Sequence, residues 1–424
     1  MMEYRILKLG SVIKDIASGP FGSNLKVDCF VADGFPIIDG ANLTEVRLSD
    51  NITKFVTEEK ARSLSRSIAK KHDVVVTISG TLGQISYIPW NSKYDEYLCS
   101  QRQFRVTFDE DLIDIEYLVY YLHTNYGQKK ILSFANYVGV PALAQPIPNF
   151  KNIEVDVPNL DYQHRVAHLL NSLNDKISLN TCMNAELEAM AKQLYDYWFV
   201  QFDFPDENGR PYKSSGGKMV YNEKLKREIP AGWKVRFLGD ALSFSNGINY
   251  EKGISGDKEY KIINVRNISS SSIFINKNEL DVISLPSKQA DSFLLNDDDI
   301  IIARSGTPGS TRLISDAHNI IYCGFIIKGK LFDSLYKYYI LFLLKQLEGT
   351  QATKTGGSIL QNVSQDTLKS LKLISPSKFI LNLFNTRIQS FFSLLNKNQN
   401  EINHLTHLRD SLLPMLMNGQ VSVE

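Results

Sequence analysis

Apolar and polar positions follow two kinds of pattern in each half of this 424-residue chain. Short β-branched runs at 74–78 and 300–303 end in Ser-Gly-Thr, which predicts buried strands followed by turns. Amphipathic segments at 116–128 and 335–347 have the apolar spacing of helices. Mixed elements of this kind predict an α/β (α+β) body in each half of the chain.

A heptad pattern follows each body. Apolar positions in alternating steps of three and four form the stripe of a coiled-coil helix. The stripe residues are Leu170, Leu173, Ile177, Asn180, Asn184, Leu187, Ala191, Leu194 and Trp198 in the first segment, and Ile388, Phe391, Leu395, Asn398, Ile402, Leu405, Leu412 and Leu416 in the second, where Arg409 interrupts the register. Because the stripes match and each contains an asparagine, we expect two long helices packed as an antiparallel coiled coil. A surface helix packed on its own body is the alternative for either segment alone.

The two halves of the chain repeat each other. The matched segments are 4–10 and 233–239, 35–43 and 260–268, and 74–81 and 300–307. From Gly139 to Pro158 the match to Gly357 through Pro376 needs no gap. A repeat far longer than the roughly 20 to 50 residues of a solenoid indicates a duplicated domain.

Composition marks the boundaries between these parts. Residues 205–229 are rich in glycine, serine, proline and charged residues, as is typical of a linker. We therefore expect a first body at 1–157, a long helix at 158–204, a linker at 205–229, a second body at 230–375 and a second long helix at 376–424.

Bulk properties narrow the class of protein. The hydrophobic fraction of 43% suffices for globular cores, and no apolar run reaches the roughly 18 residues that span a membrane. With no signal segment, we expect a cytoplasmic protein without membrane contact. A net charge of +1 argues against DNA binding driven by charge alone, although one face could still be basic. The cysteines, Cys29, Cys99, Cys182 and Cys323, lack CxxC spacing and favour plain buried thiols over zinc or disulfides.

The motifs of common catalytic and nucleotide sites are missing from the sequence. GxxxxGK[ST], HExxH, GxSxG and the Asn/Asp-Pro-Pro-Tyr turn of DNA amino-methyltransferases do not occur. The pairs His164/His168 and His404/His407 have no carboxylate or cysteine cluster to complete a metal site. We therefore expect no catalytic residue, metal or cofactor in this chain.

Four segments resemble the specificity subunit of Type I restriction-modification enzymes, and the resemblance covers essentially the whole chain. They are the Ala-Ser-Gly-Pro-Phe-Gly-Ser-Asn-Leu-Lys opening at 17–26, the Asp-hydrophobic-Ser-Gly-Thr motif at 73–81, and the two conserved regions at 187–205 and 408–421. Three features depart from the family pattern. The second body lacks a clean Phe-Gly-Ser copy, and Ser245-Asn246-Gly247 stands near that place. Tyr162 stands where the first helix usually begins with glutamate, and the segment after Pro376 lacks Glu-Gln.

The resemblance implies two target-recognition domains, each reading one half of an asymmetric split site in double-stranded DNA. The helices would set the unread spacer and, through the stripe residues, dock two methyltransferase subunits, which two ATP-dependent restriction (translocase) subunits would join. S-adenosylmethionine, ATP and Mg would be bound by those partners. The alternatives are a non-catalytic protein-binding scaffold and a stand-alone DNA-modifying enzyme.

The residues expected to contact DNA lie in polar and glycine-rich loops. They are Gly19, Phe21, Gly22, Ser23, Lys26, Ser79, Thr81, Gln101 and Arg102 in the first body, and Arg304, Ser305, Thr307, Lys354, Thr355 and Gln361 in the second. Arg304 is the strongest candidate, because a charge that ends an apolar strand has few structural uses. A surface salt bridge is its alternative, and a core position is the alternative for Phe21.

Overall fold

The chain folds into two compact units in a computed structural model that describes residues 4–250, 256–348 and 363–423. The first unit comprises residues 1–176 and 405–424, and the second comprises residues 177–404. Each unit therefore contains one body and a segment of each long helix. The domain limits expected from composition follow the order of elements along the chain, and they stay a prediction.

The first body is built on a four-stranded antiparallel sheet and a mixed five-stranded sheet. Its strands are β1 (Arg5–Lys8), β2 (Ile13–Ser18), β3 (Phe30–Val31), β4 (Phe35–Ile38), β5 (Phe55–Val56), β6 (Ile68–Lys70), β7 (Val74–Thr77), β8 (Ile85–Tyr87), β9 (Glu96–Cys99), β10 (Gln103–Phe108), β11 (Ala135–Asn136), β12 (Ala142–Leu143) and β13 (Glu154–Val157). Its helices are α1 (Glu58–Ser63), α2 (Ile115–His123), α3 (Asn125–Leu132) and α4 (Pro146–Asn152). The strand orders are β2-β10-β7-β8 and β3-β5-β4-β9-β6.

The second body repeats the four-stranded sheet as β17-β23-β20-β21. The strands after the first body are β14 (Met219–Asn222), β15 (Arg227–Pro230), β16 (Lys234–Phe237), β17 (Leu242–Asn246), β18 (Lys258–Ile263), β19 (Asp281–Leu285), β20 (Ile300–Ala303), β21 (Thr311–Leu313), β22 (Ile320–Tyr322), β23 (Ile326–Leu331) and β24 (Lys372–Ser375). The helices are α5 (Leu160–Tyr195), α6 (Val265–Ser270), α7 (Ser287–Ala290), α8 (Lys337–Leu347), α9 (Gln365–Lys369) and α10 (Lys378–Met417). The predicted α/β class and the duplication are confirmed.

The equivalent inner strands β7 and β20 explain why residues 74–77 and 300–303 form nearly continuous apolar runs in the sequence. Every residue of both strands is buried, so apolar side chains are needed on both faces. The turns of the repeated segments 35–43 and 260–268 also match. The backbone N–H of Asp39 donates to Asn42 Oδ1 over 3.0 Å, and that of Asn264 donates to Asn267 Oδ1 over 2.9 Å.

The predicted helix at 116–128 is two helices. Thr124 ends α2 and caps α3, because its hydroxyl donates to the carbonyl of Tyr121 and accepts from the N–H of Gly127. Threonine competes well for backbone groups in this way and is therefore favoured at helix starts over helix interiors. The predicted helix at 335–347 begins two residues later than expected, at Lys337.

The two long helices run antiparallel in each unit. In the second unit, Asn180 Nδ2 donates to Glu401 Oε2 and Asn398 Nδ2 donates to Asn184 Oδ1, both over 3.0 Å. Residue numbers on α10 thus decrease as those of their partners on α5 increase, so the two helices are antiparallel. In the first unit Arg409 Nη1 donates to Asn174 Oδ1 over 2.8 Å. The predicted antiparallel pair is confirmed, and α5 is extended by a π-helical turn at Asp196–Val200.

The segment 205–229, marked by composition as a linker, is folded. The strands β14 and β15 form an antiparallel hairpin at its end, with Met219 opposite Pro230. The carboxylate of Asp203 accepts from the N–H and from the hydroxyl of Ser214, each over 2.7 Å. Within the described residues, no helix combines the length and apolar character needed to cross a membrane.

Candidate nucleic-acid interface

A cleft of 560 Å³ lies at one end of the four-stranded sheet of the first body. Since β10 runs antiparallel to both β2 and β7, the end of β2, the end of β7 and the start of β10 lie at the same end of the sheet. The loops at these three points therefore meet. They bring four of the predicted DNA-contact residues together in the cleft lining, Ser79, Thr81, Gln101 and Arg102.

Backbone hydrogen bonds hold these loops to one another. The N–H of Ile78 donates to the carbonyl of Arg102 over 2.7 Å, and the N–H of Gly80 donates to the carbonyl of Pro141 over 2.9 Å. Gly80 and Gly83 have φ of +92° and +87°, a left-handed conformation that a side chain would strain. The cleft thus presents its side chains from a fixed backbone.

The predicted loop at 19–26 runs beside the cleft. A Cβ on Gly19 would lie 1.9 Å from the carbonyl oxygen of Ser100, so only glycine permits this approach. A Cβ on Gly22 would lie 2.6 Å from Gln101 Oε1, which places that part of the loop against the cleft lining. Gly22, Ser23 and Lys26 are exposed. Phe21 is 82% exposed, so its alternative position in the core is excluded.

Some charged side chains of the cleft form ion pairs and one does not. The carboxylate of Asp39 pairs with Lys54 Nζ over 2.7 Å, whereas the exposed guanidinium of Arg102 has no ion pair or hydrogen bond with any described residue. Neither Asp39 nor Lys54 was predicted as part of the site. Lys54 lies outside the repeated sequence motifs, and the pairing of β4 with β5 brings it into the cleft lining.

The second body repeats the loop that follows the inner strand. Gly306 and Gly309 have φ of +75° and +87°, as Gly80 and Gly83 do in the first body. The N–H of Arg304 donates to the carbonyl of Phe325 over 2.8 Å. This is the same bond as the one between Ile78 and Arg102, so Arg304 occupies the place of Ile78 and Phe325 occupies the place of Arg102.

Arg304 is half-buried, and its guanidinium has no ion pair with any described residue. The salt-bridge alternative therefore finds no partner in the described part of the chain. Ser305 is half-buried, and Thr307 is exposed with its hydroxyl 2.9 Å from that of Ser269. Three further predicted residues, Lys354, Thr355 and Gln361, lie outside the described residues.

Two residues beside the second loop were not among the predicted DNA contacts. The N–H of Gly247 donates to the carbonyl of Ile326 over 3.1 Å, as that of Gly19 does to Gln103 over 2.7 Å. A Cβ on Gly247 would lie 2.2 Å from the carbonyl oxygen of Cys323. Gly247 is therefore the counterpart of Gly19, and the glycine near the expected place was the available signal. Phe325, 62% exposed, had no such signal because its neighbours do not repeat the motif.

The aspartates that begin the Asp-hydrophobic-Ser-Gly-Thr motif and its repeat are structural. One carboxylate oxygen of Asp73 accepts from the N–H of Lys70, and one of Asp299 accepts from the N–H of Asn296, each over 2.8 Å. Burial raises the pKa of both carboxyls above their usual range. Each closes the turn that leads into the inner strand, away from the loops.

The predicted helix-packing residues face the interior or its edge in their units. Every one of the stripe residues is buried or half-buried, and Leu170, Trp198 and Leu395 are at most 2% exposed. Tyr162, the departure from the family pattern, donates its hydroxyl to the carbonyl of Val421 over 2.9 Å. The tyrosine thus ties the start of α5 to the end of the chain within the first unit.

One of the histidines considered as metal ligands has a structural contact. His164 Nδ1 lies 2.5 Å from Asp114 Oδ2, and no group of three potential ligands occurs among the described residues. Burial raises the pKa of Cys99 to about 12 and also raises that of Cys323, which makes both thiols unreactive. Cys182, expected to be buried, is exposed on α5.

Comparison with known proteins identifies the class. A family model described as the Type I restriction modification DNA specificity domain matches residues 30–189 and 230–409, so one match covers much of each half. Because these matches cover most of the chain, it belongs to the specificity subunits of Type I restriction-modification systems.

Individual relatives agree with this assignment. The Type I restriction enzyme MjaIX specificity subunit of Methanocaldococcus jannaschii is 26% identical over 427 residues, 97% of this chain and 93% of the relative. The HindI specificity subunit of Haemophilus influenzae is 22% identical over 394 residues, 80% of this chain and 84% of the relative. The crystal structure of the S subunit from M. genitalium has the same fold, with a TM-score of 0.58 at 16% identity, over 98% of this chain and 96% of that one.

Proposed function

We propose that each body reads one half of an asymmetric, split site in double-stranded DNA, and that the chain is itself non-catalytic. One observation carries the proposal. The same backbone hydrogen bond, Ile78 to Arg102 and Arg304 to Phe325, recurs at the same end of both four-stranded sheets with different side chains on it. A repeated frame with different side chains is suited to reading two different sequences, because base edges are distinguished by the donors and apolar groups that face them.

The helix pair is proposed to set the unread spacer between the half-sites. The polar pairs Asn180–Glu401 and Asn184–Asn398 lie within an otherwise apolar stripe, and a buried polar pair fixes the register of two helices. A fixed register gives the helix pair a fixed length, and a fixed length is what a spacer of constant size requires.

The outer face of α5 is proposed to dock the methyltransferase subunits. Four large apolar side chains at steps of four, seven and seven residues remain 37–55% exposed, Leu179, Met183, Met190 and Tyr197. These positions lie on one face of the helix, and exposed apolar side chains in a row are typical of a protein interface. Two methyltransferase and two restriction subunits would complete the complex and bind S-adenosylmethionine, ATP and Mg. Action on cellular DNA would place the complex in the cytoplasm.

Methylation of plasmid DNA by the purified chain and its methyltransferase partner tests this proposal. We expect adenine methylation at one split motif, and DNA affinity that falls as salt rises, because phosphate contacts release counterions. Methylation at scattered sites would contradict the proposal. Affinity for the methyltransferase subunit without any salt-dependent affinity for DNA would instead indicate a protein-binding scaffold.

A further inference from the structure

We propose that Arg102 and Arg304 each read a guanine, one in each half-site, and that they do so from opposite arms of the same loop pair. This inference rests on the proposed function and names the residues that give each half-site part of its sequence. We call residues 78–81 and 304–307 the strand-end arms, and residues 100–102 and 323–325 the return arms.

The two arms are joined at equivalent points in both bodies. The first residue of the strand-end arm donates its N–H to the last carbonyl of the return arm, from Ile78 to Arg102 over 2.7 Å and from Arg304 to Phe325 over 2.8 Å. In the first body the arginine is on the return arm and the apolar residue is on the strand-end arm. In the second body the two types of residue have exchanged arms.

Neither guanidinium is engaged by the described part of the protein. Several other arginines of the bodies pair with carboxylates, as Arg105 does with Asp15 and Arg312 with Glu348. Arg102 and Arg304 have no such pair. In the cleft of the first body the carboxylate of Asp39 is already held by Lys54. An unpaired arginine in these loops keeps its donors for a ligand.

The rigidity of the backbone favours a base over a phosphate as that ligand. Arginine recognises guanine by donating two parallel hydrogen bonds to O6 and N7, which needs the guanidinium held in a fixed plane. The cross-arm bond holds the backbone of each arginine, beside glycines in a left-handed conformation, so the start of each side chain is fixed and the plane of its guanidinium is left for the base to orient. A phosphate, which accepts from many directions, makes no such demand.

The exchanged apolar residue gives each body a second difference. Phe325 is 62% exposed on the return arm, where the first body has Arg102. An exposed apolar side chain can contact a thymine methyl group but offers no hydrogen-bond donor. The base pair that faces the return arm should therefore be read differently by the two bodies.

Methylome sequencing of cells that carry Arg102→Gln or Arg304→Gln chains, with the methyltransferase subunit, tests the inference. We expect each variant to relax recognition of one guanine by roughly 5- to 150-fold, the range of a bidentate contact. Arg102→Gln should relax one half-site, and Arg304→Gln should relax the other. The matched control is Arg236→Gln, since Arg236 is exposed on β16, outside both arms, and should leave the motif unchanged.

The remaining outcomes also support or overturn the inference. Motifs unchanged in both variants, or relaxed in the same half-site by both, would overturn the inference while leaving the proposed function intact. If Arg102→Gln abolishes methylation, Arg102→Lys restores the charge without the two-donor fork. Methylation restored at a motif relaxed at one guanine supports reading by the two-donor fork. Restoration of the original motif contradicts reading by that fork, because lysine can donate to guanine only from its single ammonium group. A wild-type chain that directs no split motif would overturn the proposed function itself.

Discussion

The side-chain amide of Asn398 donates a hydrogen bond to the side-chain oxygen of Asn184 over 3.0 Å. Asn398 is 4% exposed and lies in the apolar stripe of α10, between Leu395 and Ile402. A slip of α10 along α5 would separate the pair and leave a buried amide without a partner, which costs about 1–3 kcal/mol. The pair therefore specifies the register of the two helices in the second unit.

Asn398→Leu should lower stability, because it leaves the carbonyl oxygen of Asn184 without a donor. We expect a loss of about 1–3 kcal/mol, measured as a shift in the urea midpoint. The double variant Asn184→Leu/Asn398→Leu removes both partners and should recover most of that loss. Equal stability of the single variant and the wild type would show that the hydrogen bond does not select the register.

Lengthening both helices together should lengthen the DNA spacer. Seven residues inserted after Asn184 and seven before Asn398 preserve the stripe and add about 10.5 Å of helix, close to three base pairs. The mapped motif should gain about three unspecified base pairs while both half-sites stay the same.

The same insertion in α5 alone provides the control. It shifts every α5 residue beyond Asn184 by seven positions relative to its partner on α10, so methylation should be lost or strongly reduced. Altered half-sites with an unaltered spacer in the matched variant would refute the spacer role of the helices.

Charge on the outer face of α5 should prevent docking of the methyltransferase subunit. Met183→Asp/Met190→Asp places two carboxylates on the exposed stripe, where burial at an interface would cost each its hydration. Co-purification of the partner should fall at least tenfold, while DNA binding by the chain is retained. Thr181→Asp is the matched control, since Thr181 is exposed on the opposite side of the helix. Full co-purification of the double variant would exclude this face.

Gly19→Ala should damage the first half of the site selectively. The new Cβ would meet the carbonyl oxygen of Ser100 at 1.9 Å, and backbone on both sides must move. We expect a loss of about 1–3 kcal/mol in stability and weaker recognition of one half-site in the methylation motif. Gly22→Ala meets only the movable end of Gln101 and should be tolerated. Similar effects of the two substitutions would mean that the close approach is unimportant.

The repeated frame could be predicted from the sequence because it depends on local patterns. The buried inner strands, the Ser-Gly-Thr turns and the heptad stripes all recur at matching positions, and the structure places each where the pattern indicates. The asparagine in each stripe likewise indicated the register contacts that Asn180 and Asn398 make.

The arrangement of the site could not be predicted in the same way. Arg102 faces Ile78, and Phe325 faces Arg304, only because the antiparallel pairing of inner strands joins segments that are separated along the chain. Lys54 reaches the cleft through the pairing of β4 with β5. Such pairings depend on the whole sheet, and a single sequence with local patterns does not specify them. The break at Thr124, by contrast, had a local signal in its capping hydroxyl.

The most direct test of two different reading bodies on one chain is the methylome of cells that carry this chain and its partner subunits. We predict one motif with two different specified halves, separated by an unspecified spacer of constant length. A palindromic motif, a continuous motif, or methylation without any common motif would contradict the account.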